Sequence, residues 1–136
     1  MSLSDQLKAY QDCGLCPRNC GADRSAGQRG YCGETAELRL AAASIHAGEE
    51  PPVTGTGGSG TIFISGCGLG CVFCQNYQIS QGGMGRRVDA EEFARICLAL
   101  QAGGAENINL VTGSHAVPAL AAALETARDR GLKLPV

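Results

Sequence analysis

None of the 136 residues belongs to an apolar run approaching the ~20 needed to span a bilayer, and the first ten, Met1 to Tyr10, contain no apolar h-region. Neither a membrane span nor a secretory leader is expected, and the expected setting is the cytoplasm. An excess of charge is also missing. Eleven Lys and Arg stand against thirteen Asp and Glu, a net of −2. Nucleic-acid and membrane surfaces call for clustered basic residues, so neither is an expected partner. The length suits one domain large enough to bury a core.

What the chain does have is cysteine and glycine, eight of the first and twenty of the second. In an exported protein, eight cysteines could pair as disulfides in roughly 105 ways. Here they cluster at metal-ligand spacings with nothing to export them, so thiolates in a reducing cytosol are the better reading. Cys13, Cys16, Cys20 and Cys32 follow C-x2-C-x3-C-x11-C, a compact set around a polar, glycine-rich stretch at 21–30. Such a set can close a zinc site, hold an iron–sulfur cluster, or simply tether the segment. Cys67, Cys71 and Cys74 follow C-x3-C-x2-C directly after the apolar run 61–64, whose β-branched and aromatic content predicts a buried strand. The three thiols then fall on a loop at that strand's carboxyl end, where α/β folds place their chemistry. Three thiolates leave one iron of a cubane cluster without a protein ligand; the alternative is zinc with a borrowed fourth ligand.

Other elements follow from pattern. A short helix over 3–11 would put Leu3, Leu7 and Tyr10 on one face. Residues 37–40 alternate and run as a strand toward Ile45, and 46–52 reads as a proline-stopped loop. Residues 82–87 read as a flexible turn. Asp89 and Glu92 predict a capping box, and Phe93, Ile96, Cys97 and Leu100 give the helix that follows one apolar face. Cys97 on that face reads as core. A strand over 107–112 precedes a helix opened by Pro118, with Leu120, Leu124 and Ala127 inward and Gly131 as its stop. Residues 133–136 read as a third strand beginning. Strands alternating with helices predict parallel pairing with right-handed crossovers.

The stretch Gly66-Cys67…Cys71-Val72-Phe73-Cys74-Gln75-Asn76-Tyr77-Gln78-Ile79-Ser80 resembles the radical S-adenosylmethionine (SAM) enzymes, in particular the branch like pyruvate formate-lyase activating enzyme. The Cys-Gly-Leu-Cys-Pro-Arg-Asn-Cys element at 13–20 is similar to that branch's amino-terminal motif. The resemblance implies an α/β fold: a partial radical SAM barrel, truncated to its first βα units (53–136), after a Cys-rich metal-binding arm (1–52). Six βα units would need on the order of 180 residues, whereas 75 follow Thr61. The open parallel edge would favour oligomerisation or membership of a longer polypeptide.

By resemblance, Cys67, Cys71 and Cys74 ligate a 4Fe–4S cluster whose open iron SAM chelates. Reductive cleavage then yields a 5′-deoxyadenosyl radical for hydrogen abstraction, with glycyl-radical activation of another protein as one outcome. Phe73 matches the position whose backbone approaches adenine, though it could equally be a core aromatic. The second-strand turn, Thr112-Gly113-Ser114-His115, lacks the family's acidic residue; Thr112, Gly113 and Ser114 remain candidate SAM contacts. His115 reads as a surface histidine or else a hydrogen-bond donor, and His46, Glu49 and Glu50 as a solvated loop or else neighbours of the cluster. Implied partners are an unidentified protein or small-molecule substrate and a flavodoxin- or ferredoxin-type electron donor. The arm would hold a second cluster or zinc. The reading from a different class is a non-catalytic iron–sulfur or zinc module.

Overall fold

The computed structural model describes residues 2–136, the Leu3 side chain excepted. Among these, strands β1 (Arg39–His46), β2 (Ser59–Ile64), β3 (Arg86–Arg87) and β4 (Ile108–Val111) form one mixed sheet in the order β3-β1-β2-β4. β1 runs antiparallel to both β2 and β3, while β2 and β4 are parallel. The expected parallel crossover is therefore the β2–β4 pair, joined through helix α4 (Ala90–Ala102). The sheet spans the boundary at residue 52, since β1 lies before it and β2 after.

Register decides which face holds the core. Ile62 pairs with Leu110, while Thr61 pairs with Asn109 and Phe63 with Val111 on the opposite face. Ile62, Ile64 and Ile108 pack with Phe93, Ala94, Cys97 and Leu100 of α4 and with Leu120, Ala123 and Ala127 of helix α5 (Val117–Asp129). Fully burying a side chain such as Phe93 or Ile62 stabilises by about 1.5–3 kcal/mol, so this layer carries the fold. Burial pushes the Cys97 thiol up to about 11, which fits a core residue and not a ligand.

The ends of α4 and α5 follow the local signals. Asp89 Oδ1 accepts the Glu92 N–H at 2.8 Å; the Glu92 carboxylate pairs with Arg86 at 2.6 Å rather than closing the box. Pro118 sits in the first turn of α5, and Gly131, at φ +106°, follows its end.

Four expectations are corrected. Of the expected inward face of α1 (Leu3–Ala9), Tyr10, just past its end, turns inward and Leu7 is 40% exposed, while the Leu3 side chain lies outside the described residues. The loop at 46–52 ends in a helical turn, α2 (Pro51–Thr54), because prolines at its first positions lose no intrahelical bond. The flexible turn at 82–87 ends in β3, which Arg39 secures by donating to the carbonyls of Gly83 (2.6 Å) and Gly85 (2.9 Å). The third strand does not form. Residues 133–136 run beside β4, but Pro135 contributes only its carbonyl, to the Ile108 N–H at 2.8 Å, and has no N–H to continue a ladder.

Candidate functional site

Where β2 ends, Ser65 and Gly66 turn the chain into the cysteine loop. Ser65 is buried; its N–H donates to Arg39 O, its hydroxyl to Met84 O at 2.8 Å, and its carbonyl accepts from His115 Nε2 at 2.7 Å. Gly66 has φ +82°, and its N–H reaches Ile79 O in the short helix α3 (Tyr77–Ser80). Cys67, Cys71 and Cys74 are half-buried free thiols on the loop between β2 and α3. The Leu69 N–H points at Cys67 Sγ (3.4 Å), Cys74 Sγ contacts Ser80 Oγ (3.3 Å), and Gln81 donates to Cys71 O (3.1 Å). Phe73 is 85% exposed and Val72 fully so. The core-aromatic alternative for Phe73 is thereby corrected: the ring sits on the outward bend of a loop with no layer beneath it.

A buried arginine ties the arm to the turn after β4. Arg24, 2% exposed, donates to Glu34 O (3.0 Å), Thr35 O (2.8 Å) and His115 O (2.7 Å), approaches Cys13 Sγ at 3.4 Å, and lies over the Tyr10 ring at 4.7 Å. Around it the arm's thiols divide. Cys20 and Cys32 lie together, since a methyl group placed on Gly30 would touch their sulfurs at 3.3 and 3.4 Å. Cys16 instead lies against Gly68 of the other loop. Backbone N–H groups of Ala22 and Tyr31 hold the Cys20 thiol below its ordinary range, whereas burial raises Cys32. Among the described residues no three His, Cys, Asp or Glu side chains converge to hold a metal ion.

A cavity of about 520 Å³ is lined by Cys16, Pro17, Arg18, Cys67, Gly68, Leu69, Thr112 and Ser114. Two of the predicted β4-turn residues thus share a space with the first loop cysteine. Gly113 lies behind them, its Cα facing Leu120, and Phe73 is not part of the wall. Thr112 has φ +60°, an uncommon conformation for a β-branched residue, and its hydroxyl donates to carbonyls of Ile64 and Val111. Its holding there ties the β4 turn to the end of β2. Against the sheet face of Thr61, Phe63 and Val111, His46 and Glu49 line another cavity, about 430 Å³, with Gln75 and Asn76 just past Cys74. Glu50 instead precedes the first turn of α2.

His115 is not at the surface. It is 2% exposed, and with Nε2–H donating to Ser65 O its Nδ1 is a bare acceptor with no partner. Burial, with Arg24's charge adding, holds the imidazole below its ordinary pKa. The folded ring is neutral while the unfolded chain takes a proton near ~6.5, so this site's contribution is full above that pH and is lost as pH falls below it. His115→Gln keeps the donor and removes the titration. Urea midpoints at pH 7.5 and 5.5 should fall less between those values in the variant than in the wild type; an equal fall would contradict this.

Sequence reasoning missed Arg18, Arg24, Tyr31 and Glu34. Arg18 at least stands inside the cysteine-proline-arginine element, which gave a signal; the buried Arg24 sits in a polar stretch that reads as solvated.

Three free cysteines stand on a loop at the carboxyl end of a central strand of this α/β protein, beside a cavity reached from the next strand's turn. Residues 61–134, just over half the chain, match the model of the radical SAM superfamily, and the chain belongs to that superfamily. It is also similar to the uncharacterized protein MJ0674 of Methanocaldococcus jannaschii, at 30% identity over 134 residues, covering 93% of this chain and 38% of that protein. The chain thus spans well under half the length of this curated relative. No solved structure matches it. Membership implies a 4Fe–4S cluster and SAM in general terms. Among the described residues no helix is long and apolar enough to cross a membrane.

Proposed function

We propose that Cys67, Cys71 and Cys74 hold three irons of a 4Fe–4S cluster and that the 520 Å³ cavity receives SAM. The donor set fits: three free thiols on one loop, none committed to a disulfide, with an N–H already directed at Cys67 Sγ. Sulfur ligands of this kind suit iron–sulfur clusters. With SAM bound, such a cluster supplies one-electron cleavage of the sulfonium for hydrogen abstraction from a substrate. The chain's own residues do the placing. Ser80 Oγ and the Leu69 N–H would hydrogen-bond ligand sulfurs, and Thr112 and Ser114, on the cavity wall, would receive the amino-acid end. The observation that carries this reading is the shared cavity of Cys67, Thr112 and Ser114.

The finer reading is an activating-enzyme-like protein that generates a 5′-deoxyadenosyl radical. It acts on a glycyl site of another protein or on a small molecule, draws on a flavodoxin- or ferredoxin-type donor, and works in the cytoplasm. Residues 53–136 form the first βα units of a partial barrel. The arm's Cys13, Cys16, Cys20 and Cys32 bind zinc or a second cluster; the C-x2-C-x3-C-x11-C spacing supports this. Metal and sulfide analysis after anaerobic reconstitution tests the proposal. Wild type and Cys97→Ala should both turn brown with about four irons and four sulfides in the loop site. Zinc alone, in a colourless protein after anaerobic handling, would overturn it.

A further inference from the structure

Arg18 leaves the arm and reaches the stretch between Cys67 and Cys71. Its Nε donates to Gly68 O at 2.7 Å and Nη2 to Leu69 O at 2.6 Å, two consecutive carbonyls of the loop. The guanidinium lies 4.0 Å from the centre of the Tyr31 ring. The Tyr31 hydroxyl in turn closes on Gly70, where an added methyl group would stand 3.0 Å away and where φ is +70°. Cys16 Sγ presses on Gly68 at 2.9 Å from such a methyl position. Three arm residues thus hold three successive loop residues, Gly68, Leu69 and Gly70.

The planar fork of arginine matches two carbonyls at once, and its flat face stacks on an aromatic ring; lysine offers a single point charge and neither geometry. With its Nε and Nη2 edge committed to the loop, Arg18 is placed to hold that loop rather than to take up a ligand.

We propose that Arg18 is the positioning residue of the cysteine loop. It fixes the turn between the first two cysteines and sets a positive charge beside the group they hold. Reduction adds negative charge to a cluster, so a neighbouring cation favours the reduced state; solvent screens the effect because Arg18 is exposed. The charge half of this inference rests on the cluster reading above, while the positioning half does not.

Two readouts on Arg18→Gln and Arg18→Lys test it. In the metal-free protein, the amides of Leu69 to Cys71 should exchange roughly tenfold faster in R18Q than in wild type, with α4 amides unchanged. In the reconstituted protein, a redox titration followed by electron paramagnetic resonance should place the R18Q cluster at a more negative midpoint potential, with R18K between it and wild type. Unchanged exchange in R18Q overturns the positioning role, and an unchanged potential alongside faster exchange overturns the charge role. If R18Q does not fold, R18K decides by the same exchange comparison. If wild type takes up only zinc, the cluster reading and the charge role fail with it, and exchange still decides the positioning.

Discussion

Alanine at position 66 should lower stability by on the order of 3 kcal/mol and the melting temperature by about 10 °C. Two causes add. The residue stands at φ +82°, a left-handed conformation that costs a non-glycine residue roughly 1–2 kcal/mol. There is also no room. The new methyl would run into Glu34 Cγ, would stand 2.8 Å from Cys32 O and 3.2 Å from His115 Nε2. Glu34 cannot simply swing aside, because its carboxylate is buried and pairs with Arg39 at 3.0 Å. Gly83 separates the two causes: it has nearly the same φ, +77°, with nothing near its missing side chain. Gly83→Ala should show the conformational cost alone. Urea unfolding of the two variants checks this, and equal losses would mean that the packing around Gly66 yields. Because Gly66 immediately precedes Cys67, relief of the clash in the folded variant should also move the loop and lower iron uptake on reconstitution.

Arg24→Met should cost more, about 3–5 kcal/mol. The guanidinium is the shared partner of three carbonyls from two distant parts of the chain: Glu34 and Thr35 in the arm, and His115 after β4. Methionine fills the space and satisfies none of them, so the Thr35 and His115 carbonyls lose the arginine donor while Glu34 O keeps the Gly30 N–H. Arg24→Lys should recover less than half, since one ammonium cannot serve three acceptors spread around a plane. The partial unfolding should be local. Amide exchange should rise through residues 10–36 and in the single 3₁₀ turn Ser114–Ala116, while α4, which Arg24 does not touch, keeps its protection. A loss below about 1 kcal/mol would show that the arm is held by other contacts.

Much of the frame could be read from the sequence because its signals are local. The β-branched run before Cys67 became β2. Asp89 capped α4, the i, i+3, i+4 spacing buried Phe93 and Cys97, and Pro118 opened α5. The cysteine loop fell at the carboxyl end of β2, as strand-then-loop order requires. What could not be read depends on contacts between residues far apart in sequence. Arg24 looks like any charged loop residue until His115, 91 positions on, supplies its acceptor. His115 looked solvated because nothing nearby shows that Ser65 O will cover it. Phe73 has the composition of a core residue but sits where the loop turns outward. α3 and β3 are four and two residues long, too short for any periodicity to show. The division of the arm's thiols, with Cys16 turned toward Gly68, is likewise set by how the arm folds back, and C-x2-C-x3-C-x11-C spacing says nothing of that.

The central claim is that three loop thiolates hold a cluster with one iron open to SAM. It is tested most directly by electron paramagnetic resonance of the anaerobically reconstituted, dithionite-reduced protein, with and without SAM. The account predicts a 4Fe–4S signal that shifts when SAM is added, and a triple variant, Cys67→Ser, Cys71→Ser, Cys74→Ser, in which no SAM-responsive signal is left. A cluster signal indifferent to SAM, or a SAM-responsive one that survives the triple substitution, would contradict it.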